Sequence, residues 1–200
     1  MKLVLATHNK DKVTELRASL KNLNIQILTL EQFPEIGDIE ETGTTLSANA
    51  KIKAEEVYKI TQIPSIADDT GLEVEALGGA PGVYSSRFAG ENVSYDDNVN
   101  KLLKEMEEVP PEGRSAKFRT VICFVDGKRE LYTQGEIKGI IAKDKRGDKG
   151  FGYDPVFYIP QLKKTMAELT TEEKNKISHR GNAIRNLRKL LKELIQKTPN

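Results

Sequence analysis

The sequence contains little cysteine and little histidine, with one Cys and two His among its 200 residues. The single cysteine, Cys123, excludes an internal disulfide, and a zinc site built from thiolate and imidazole ligands cannot be assembled from so few residues. Any metal ion that this chain binds must therefore be held by oxygen ligands.

An excess of one charge is also absent, because 31 Lys and Arg residues stand against 30 Asp and Glu residues. This balance provides no overall field to hold nucleic acid through counterion release, so we expect a small-molecule partner and no nucleic acid. Long apolar runs are missing as well. The first six residues turn polar at Thr7, too early for a secretory signal, and no later run approaches membrane-spanning length. We expect a soluble cytoplasmic protein without membrane contact.

Short β-branched runs alternate with amphipathic helical stretches in the first third of the chain, which predicts an α/β fold. The predicted strands are 3–6, 25–28, 63–67, 117–125 and 130–141. The predicted helices are 12–20, 96–106, 182–196 and one that begins after Thr44 or Thr45 and ends near 60. We treat 1–200 as a single domain with a β-rich lobe at about 112–160.

The turn between the first strand and the first helix carries hydroxyl, amide and ammonium groups. Its residues are Thr7, His8, Asn9, Lys10, Asp11 and Lys12. Free backbone N–H groups at a helix N-terminus attract anions, so this turn is a candidate phosphate site, although the glycines of a Walker loop or a dinucleotide fingerprint are absent. The alternative is that Asn9 only caps the helix and Lys12 is solvated.

A lysine lies within the apolar face predicted for the second helix. Helical projection places Lys53 in the middle of a stripe formed by Leu46, Ala50, Ala54, Val57 and Ile60. Either the stem packs while the ammonium reaches solvent, or this helix lies beside an anionic site. The helical pattern alone leaves both interpretations open.

Two pairs of acids flank this helix and the strand after it. Glu40-Glu41 precede the helix, and Asp68-Asp69 directly follow the predicted strand, at the sheet edge where α/β proteins bind ligands. Mg²⁺ usually takes one or two carboxylates together with waters and phosphate oxygens, so one acid from each pair would complete a site. The pattern does not choose between Glu40 and Glu41 or give Asp68 a role. The alternative is a turn cap at Asp69 and surface charges elsewhere.

The last third of the chain contains a candidate site for a nucleobase. Gly150–Pro155 places two aromatic rings between glycines and a proline, and such rings either stack on a base or pack in the core. Lys143–Gly150 before it is either a moving lid or a plain charged loop. Thr170 and Glu173 have capping-box spacing, and Ser178–Gly181 then offers an imidazole and a guanidinium, or simply a solvated basic turn.

Together these motifs resemble the inosine triphosphate pyrophosphatase family, whose blocks recur in the same order across nearly the whole chain. The blocks are Thr7–Lys12, Glu40–Gly43, Ile66–Leu72, Leu77–Ser85, Gly150–Pro155 and Glu173–Gly181. The resemblance implies an elongated mixed β-sheet with flanking helices and two lobes around a central cleft. It also implies a homodimer and a Mg²⁺-dependent conversion of ITP, dITP and XTP to monophosphate and pyrophosphate.

Carried over to this sequence, the resemblance gives roles to individual residues. Glu40 and Asp69 would bind the metal, Asp69 would also accept a proton, and Lys53 would act near the phosphates. Substrate contacts would come from the turn Thr7–Lys12 and from Thr70, Phe151, Gly152, Tyr153, Asp154, Lys174, His179 and Arg180. Two departures from the family are His8, where many relatives have glycine, and Thr70, which replaces a common serine.

Three other functions compete with this interpretation. A pyrophosphatase of similar architecture could act on modified pyrimidine nucleotides, and a nucleotide-binding regulator could bind the same ligands without turnover. The paired acids argue against a regulator, because binding alone has less need of a metal at the scissile phosphate. A nucleic-acid-binding module is the least favoured, because the charges balance.

Overall fold

The computed structural model describes residues 1–197, without the side chains of Asp11 and Lys197. The strands are β1 (Lys2–Leu5), β2 (Gln26–Thr29), β3 (Ser65–Val74), β4 (Pro81–Gly82), β5 (Ser115–Val125), β6 (Glu130–Ile141), β7 (Phe157–Ile159) and β8 (Lys164–Thr165). The α-helices are α1 (Lys10–Leu20), α2 (Leu46–Thr61), α3 (Tyr95–Glu105), α4 (Thr171–Ile177) and α5 (His179–Lys197). Among these described residues, no helix is both long enough and apolar enough to cross a membrane.

Eight strands within the described part of the chain form one mixed sheet in the order β2-β1-β3-β5-β6-β7-β8, with β4 paired to β3. β1 is parallel to β2 and to β3, because helices connect these strands and a crossover helix permits parallel pairing. β7 is antiparallel to both β6 and β8. A mixed sheet with flanking helices confirms the predicted fold class.

The chain forms two compact units. The first comprises Met1–Asp69, Thr120–Gly135 and the chain from Asn182 onward, and the second comprises Thr70–Arg119 and Glu136–Gly181. Each unit contains its own buried cluster of hydrophobic side chains.

In the first unit, residues of a strand alternate between two hydrophobic clusters on opposite faces of the sheet. Leu3 and Leu5 pack with apolar residues of α1 and α5, whereas Val4 packs with α2. β3 continues the same alternation, with Ile66 in the first cluster and Ala67 in the second. Because successive strand residues point to opposite faces, this alternation determines where the next two side chains go.

The predicted end of the third strand at Ala67 is wrong, because β3 continues to Val74. Its parallel pairing with β1 ends at Ile66, but β5 also borders β3 and gives the polar stretch a partner strand. Asp68 and Asp69 therefore lie inside a strand, beside the carboxyl end of β1, and by alternation they face opposite sides of the sheet.

The last helix also begins earlier than predicted, at His179 instead of Asn182. Ser178 ends α4, and its hydroxyl accepts a hydrogen bond from Gly181 N at 3.1 Å, which caps the start of α5. Consequently His179 and Arg180 occupy the first turn of α5. The helix α4 and the strands β7 and β8 were absent from the predicted elements because they are too short to show a period.

Candidate functional site

The turn between β1 and α1 is held by short-range hydrogen bonds. Asn9 Oδ1 accepts from Lys12 N at 3.2 Å, and Thr7 Oγ1 accepts from Asn9 N at 3.2 Å. Asn9 therefore caps α1, as the structural alternative predicted. The cap fixes the turn and directs the first backbone N–H groups of the helix along its axis, which is the arrangement that attracts an anion.

His8 connects this turn to the segment that precedes the acidic pair. Its Nε2 donates to the carbonyl oxygen of Gly37 at 3.2 Å, although the side chain is otherwise exposed. Lys10 is exposed, and the side chain of Asp11 lies outside the described part of the structure. Phosphate contacts of these three residues stay predictions.

Lys12 forms an ion pair with the buried carboxylate of Asp68. The Nζ–Oδ2 distance is 3.0 Å, and the two side chains are 16% and 3% exposed. Lys12 is therefore not a solvated surface charge. The pair gives Asp68 a role that the sequence left open, as the buried counter-ion of a lysine in the first turn of α1.

Lys53 lies between two carboxylates. It is ion-paired with Glu41, and its Nζ is 3.8 Å from Asp69 Oδ1, while the lysine side chain is 13% exposed. The ammonium thus reaches carboxylates instead of open solvent, and the predicted action of this lysine near phosphates stays a prediction. The apolar stripe of α2 is shorter than predicted, because Val57 is buried but Ile60 is 45% exposed.

Asn49 joins these groups and was not among the residues predicted from the sequence. Its Nδ2 donates to Asp69 Oδ2 at 3.2 Å, and its Oδ1 accepts from Gly43 N at 2.8 Å. A Cβ on Gly43 would lie 2.6 Å from Asn49 Oδ1, so only glycine allows this approach. One signal was available in the sequence, since Asn49 precedes Lys53 by one helical turn on the same face.

The charged groups of the first unit influence one another's ionisation. Burial raises the pKa of Asp69, and the nearby carboxylate of Glu41 raises it further. The ammonium groups of Lys53 and Lys12 lower this pKa but do not cancel the rise. Burial lowers the pKa of Lys53, but the carboxylates of Asp69 and Glu41 outweigh it, so the net shift is upward. Acids and lysines from distant stretches of the chain therefore converge on one charged cluster.

Of the two glutamates, Glu41 is the one that contacts the charged cluster around Asp69. Glu41 is half-buried and contacts Lys53, whereas Glu40 is exposed. Residues 1–197 contain no group of three or more acidic, His or Cys side chains arranged to hold a metal ion. Two carboxylates are nevertheless enough for Mg²⁺ when substrate phosphates supply further oxygens.

In the second unit, the segment around Phe151 is fixed by a buried carboxylate. Asp154 Oδ2 accepts from Phe151 N at 2.9 Å and also from the ammonium of Lys174. Gly150 and Gly152 have φ values of +78° and +61°, which favour glycine. A Cβ at Gly150 would also lie 2.1 Å from Asp154 Oδ2, so this glycine is required by space as well.

Two cations lie over the ring of Phe151. Lys174 Nζ is 5.0 Å from the ring centroid, and the guanidinium carbon of Arg180 is 5.5 Å from it. The neighbouring His179 is buried, with its ring stacked on Phe118 at 4.7 Å between centroids. The predicted base-side residues therefore form an aromatic and cationic cluster within this unit, not a solvated basic turn.

The two rings of the predicted base segment differ in their surroundings. Tyr153 is 4% exposed, and its hydroxyl donates to Ser85 O at 2.9 Å, so its ring belongs to the core. Phe151 is half-buried and keeps part of its surface accessible. Thr70 follows Asp69 within β3 and is also half-buried. Substrate contacts of Tyr153 and Thr70 stay predictions.

The capping box that the sequence predicted is confirmed. Glu173 N donates to Thr170 Oγ1 at 3.2 Å, and Thr170 N donates to Glu173 Oε2 at 2.7 Å. This box begins α4, and Lys174 directly follows Glu173 and lies in the last turn of that short helix. By closing this capping box, Glu173 helps to fix the position of the adjacent Lys174, one of the cations predicted to contact the base.

The charged segment Lys143–Gly150 is attached to the second unit through its backbone. Arg146 N donates to Pro155 O at 2.9 Å, and Lys149 N donates to Ala167 O at 3.1 Å. These two anchors favour the interpretation of a fixed loop over that of a free lid.

Known proteins identify the family to which this chain belongs. The model of the Ham1 family matches residues 3–190. The chain belongs to the Ham1 family. It is 50% identical over 198 residues to the dITP/XTP pyrophosphatase of Thermoanaerobacter pseudethanolicus, covering 98% of this chain and 100% of that protein. The Ham1 membership confirms the resemblance inferred from the motifs.

Further relatives include proteins of known structure. The dITP/XTP pyrophosphatase of Listeria monocytogenes serovar 1/2a is 49% identical over 200 residues, covering 98% of this chain and 97% of that protein. The structure of a HAM1 protein from Coxiella burnetii superposes with a TM-score of 0.92 at 42% identity, covering 96% of this chain and 99% of that one. The fold of this Ham1 chain is therefore shared over nearly its full length.

Proposed function

We propose that this chain hydrolyses ITP, dITP and XTP, whose bases are deaminated purines, to the monophosphate and pyrophosphate, and so removes them from the nucleotide pool. The observation that carries the proposal is the lysine Lys53 held between the carboxylates of Glu41 and Asp69. This cluster occurs in a chain that is 50% identical to a dITP/XTP pyrophosphatase. The bond cleaved is the α–β phosphoanhydride.

The proposed cofactor is Mg²⁺, bound by Asp69 and by one glutamate of the pair Glu40-Glu41, of which Glu41 has the better position. The residues fit this ion, because two carboxylates share one buried ammonium and thus form a concentrated negative site of oxygen ligands. When bound, the ion would neutralise phosphate charge and polarise the bond that breaks. Lys53 would then be released from its carboxylates to bind phosphate oxygens.

The residues of the first unit have separate tasks in the proposed reaction. Asp69 orients a water molecule toward the α-phosphorus and accepts its proton. Lys12 and Lys53 offset the negative charge that develops on the leaving pyrophosphate. The turn Thr7–Lys12 binds the phosphates with the backbone N–H groups at the start of α1. Asp68 keeps the ammonium of Lys12 in place through their ion pair.

The second unit supplies the contacts to the base. Phe151 offers a ring face for stacking, and Lys174 and Arg180 offer donors beside it. Hypoxanthine and xanthine present an acceptor at O6 and a donor at N1, whereas adenine presents the reverse pattern. Donors placed for O6 are left unpaired by adenine, so ATP is rejected. Guanine shares the O6 pattern and must be refused at its 2-amino group.

We expect kcat/KM for ITP and XTP to exceed that for ATP by at least about tenfold, since each unpaired buried donor costs about 1–3 kcal/mol. The measurement is pyrophosphate release from ITP, XTP, GTP and ATP at saturating Mg²⁺. Equal values for the four substrates would remove the selectivity claim and leave the hydrolysis intact. Faster turnover of modified pyrimidine nucleotides would favour the related pyrophosphatase, and binding without pyrophosphate release would favour a regulator.

The proposal also includes a cytoplasmic homodimer, which rests on the family resemblance. The absence of a membrane-length helix among the described residues is compatible with this location. Sedimentation equilibrium of the purified chain should give about twice the mass of one chain. A monomer at micromolar concentration would remove the dimer from the proposal without affecting the activity.

A further inference from the structure

An exposed tyrosine lies beside the ring of Phe151 in the second unit. Tyr95 is the first residue of α3 and is 54% exposed. Its ring centroid is 5.9 Å from that of Phe151, and the two ring planes are inclined by 38°. The two rings therefore form one angled aromatic surface, and because half of Tyr95 remains exposed, a ligand can reach it.

The position of this tyrosine is set by the backbone around it. Ser94 Oγ accepts from Asp97 N at 3.1 Å, and Asp97 Oδ2 accepts from Ser94 N at 2.8 Å, which closes a capping box at the start of α3. Lys145, six residues before Phe151, forms an ion pair with Asp96. The cap and the ion pair hold the first turn of α3 against the segment that leads to Phe151.

Charges beside the two rings restrict the kind of ligand that fits. Lys174 and Arg180 both lie over the Phe151 ring, so the aromatic surface is bordered by cationic donors. A planar ligand with acceptor atoms at its edge matches both features, because its face can stack while its edge accepts hydrogen bonds. A nucleobase has this combination.

We infer that Tyr95 is a specificity-determining residue that contacts a purine base stacked on Phe151. A bicyclic base extends from the ring of Phe151 onto that of Tyr95, whereas the single ring of a pyrimidine covers Phe151 alone. Tyr95 thus increases affinity for purines relative to pyrimidines. This inference rests on the proposed function and adds a residue to its base-binding site.

The test is calorimetric titration of wild type, Tyr95→Ala and Tyr95→Phe with IMP, UMP and inorganic pyrophosphate. For Tyr95→Ala we expect the Kd of IMP to rise roughly tenfold, as for the loss of one base–aromatic contact. The Kd of UMP should change by less than about twofold, and that of pyrophosphate, which has no base, should stay the same. Tyr95→Phe keeps the ring and should bind IMP like wild type.

Kinetics with ITP provide a second readout. Tyr95→Ala should raise KM while kcat stays within about twofold, because the proposed contact is to the base and therefore acts on binding. Tyr84→Ala is the matched control, since Tyr84 lies in the same unit and is 55% exposed but lies beside Arg87. It should bind IMP like wild type.

Three results would overturn the inference. They are unchanged IMP affinity in Tyr95→Ala, an equal loss of affinity for IMP and UMP, and an equal loss in Tyr84→Ala. Failure of the proposed function is seen separately, as absence of pyrophosphate release from ITP by the wild-type protein. The IMP titration then still decides whether Tyr95 contacts the base.

Discussion

Replacing Asp69 by asparagine is expected to lower kcat for ITP about a thousandfold, within the range for loss of a general base. Asparagine has the same shape and can still accept the hydrogen bond that Asn49 donates to Asp69 at 3.2 Å. The change therefore removes the negative charge and the proton acceptor while it retains the local packing. Pyrophosphate release at saturating Mg²⁺ is the measurement.

The fold should survive this substitution. Burial raises the pKa of Asp69, so ionising this carboxyl group costs more free energy in the folded state than in the unfolded state. The ionised carboxylate therefore lowers the free energy of unfolding at pH values above the pKa of Asp69 in the folded state. This effect disappears as the pH falls below the pKa of Asp69 in the unfolded state, and asparagine, which is neutral, does not have it. We therefore expect the Tm of Asp69→Asn at pH 7 to be no lower than that of wild type.

A matched control is Asp126→Asn in the turn between β5 and β6. Asp126 is also partnered by a cation, Arg129, but it lies outside the charged cluster. Its activity should stay within about twofold of wild type, as for substitutions away from a site. Near-normal turnover by Asp69→Asn would remove Asp69 from the proposed mechanism, whereas equal losses in both variants would indicate a general effect on folding.

The pairing of lysines with acids shows how far the sequence could predict the site. Helical projection made Lys53 only a candidate for an anionic site, and it was the family resemblance that placed this lysine near the phosphates. The partner of Lys12 did not follow, because a sequence pattern does not tell which face of the sheet α1 covers. The structure supplies this information, since α1 packs on the face toward which Asp68 points.

The extent of β3 was not predictable from its own residues. In the sequence, the run Asp68, Asp69 and Thr70 resembles the end of a buried strand, because aspartate is uncommon inside strands. Its continuation depends on β5, which lies about fifty residues later in the chain, and tertiary pairing of this kind overrides local propensity. The fold class was predictable because the spacing of apolar residues that distinguishes strands from helices is a local property of the sequence.

The base-side residues illustrate a second limit of sequence reasoning. Phe151 and Tyr153 are equivalent in the sequence pattern, each flanked by a glycine, yet one keeps an accessible face and the other is buried with its hydroxyl bonded to Ser85. The difference arises from tertiary packing of the second unit. Tyr95 carries no motif at all, and only its distance from Phe151 relates it to the site.

The pair Glu41→Gln and Glu40→Gln should separate the two candidate metal ligands. Glu41 is half-buried, contacts Lys53 and acts electrostatically on Asp69, so we expect its replacement to lower kcat/KM for ITP about a hundredfold, because a metal contributes several kcal/mol. Glu40 is exposed, and its replacement should change kcat/KM by less than about threefold. Each variant is the control for the other, since the two residues are adjacent and chemically identical.

Metal binding gives these variants a readout that is independent of turnover. Titration of each apo variant with Mg²⁺, followed by calorimetry, should show weaker binding for Glu41→Gln and unchanged binding for Glu40→Gln. The reverse order would establish Glu40 as the ligand, as the family resemblance implies, and would leave Glu41 the role of a counter-ion to Lys53. Equal affinity in both variants and wild type would leave neither glutamate as a ligand, and Asp69 would then have to bind the ion with substrate oxygens alone.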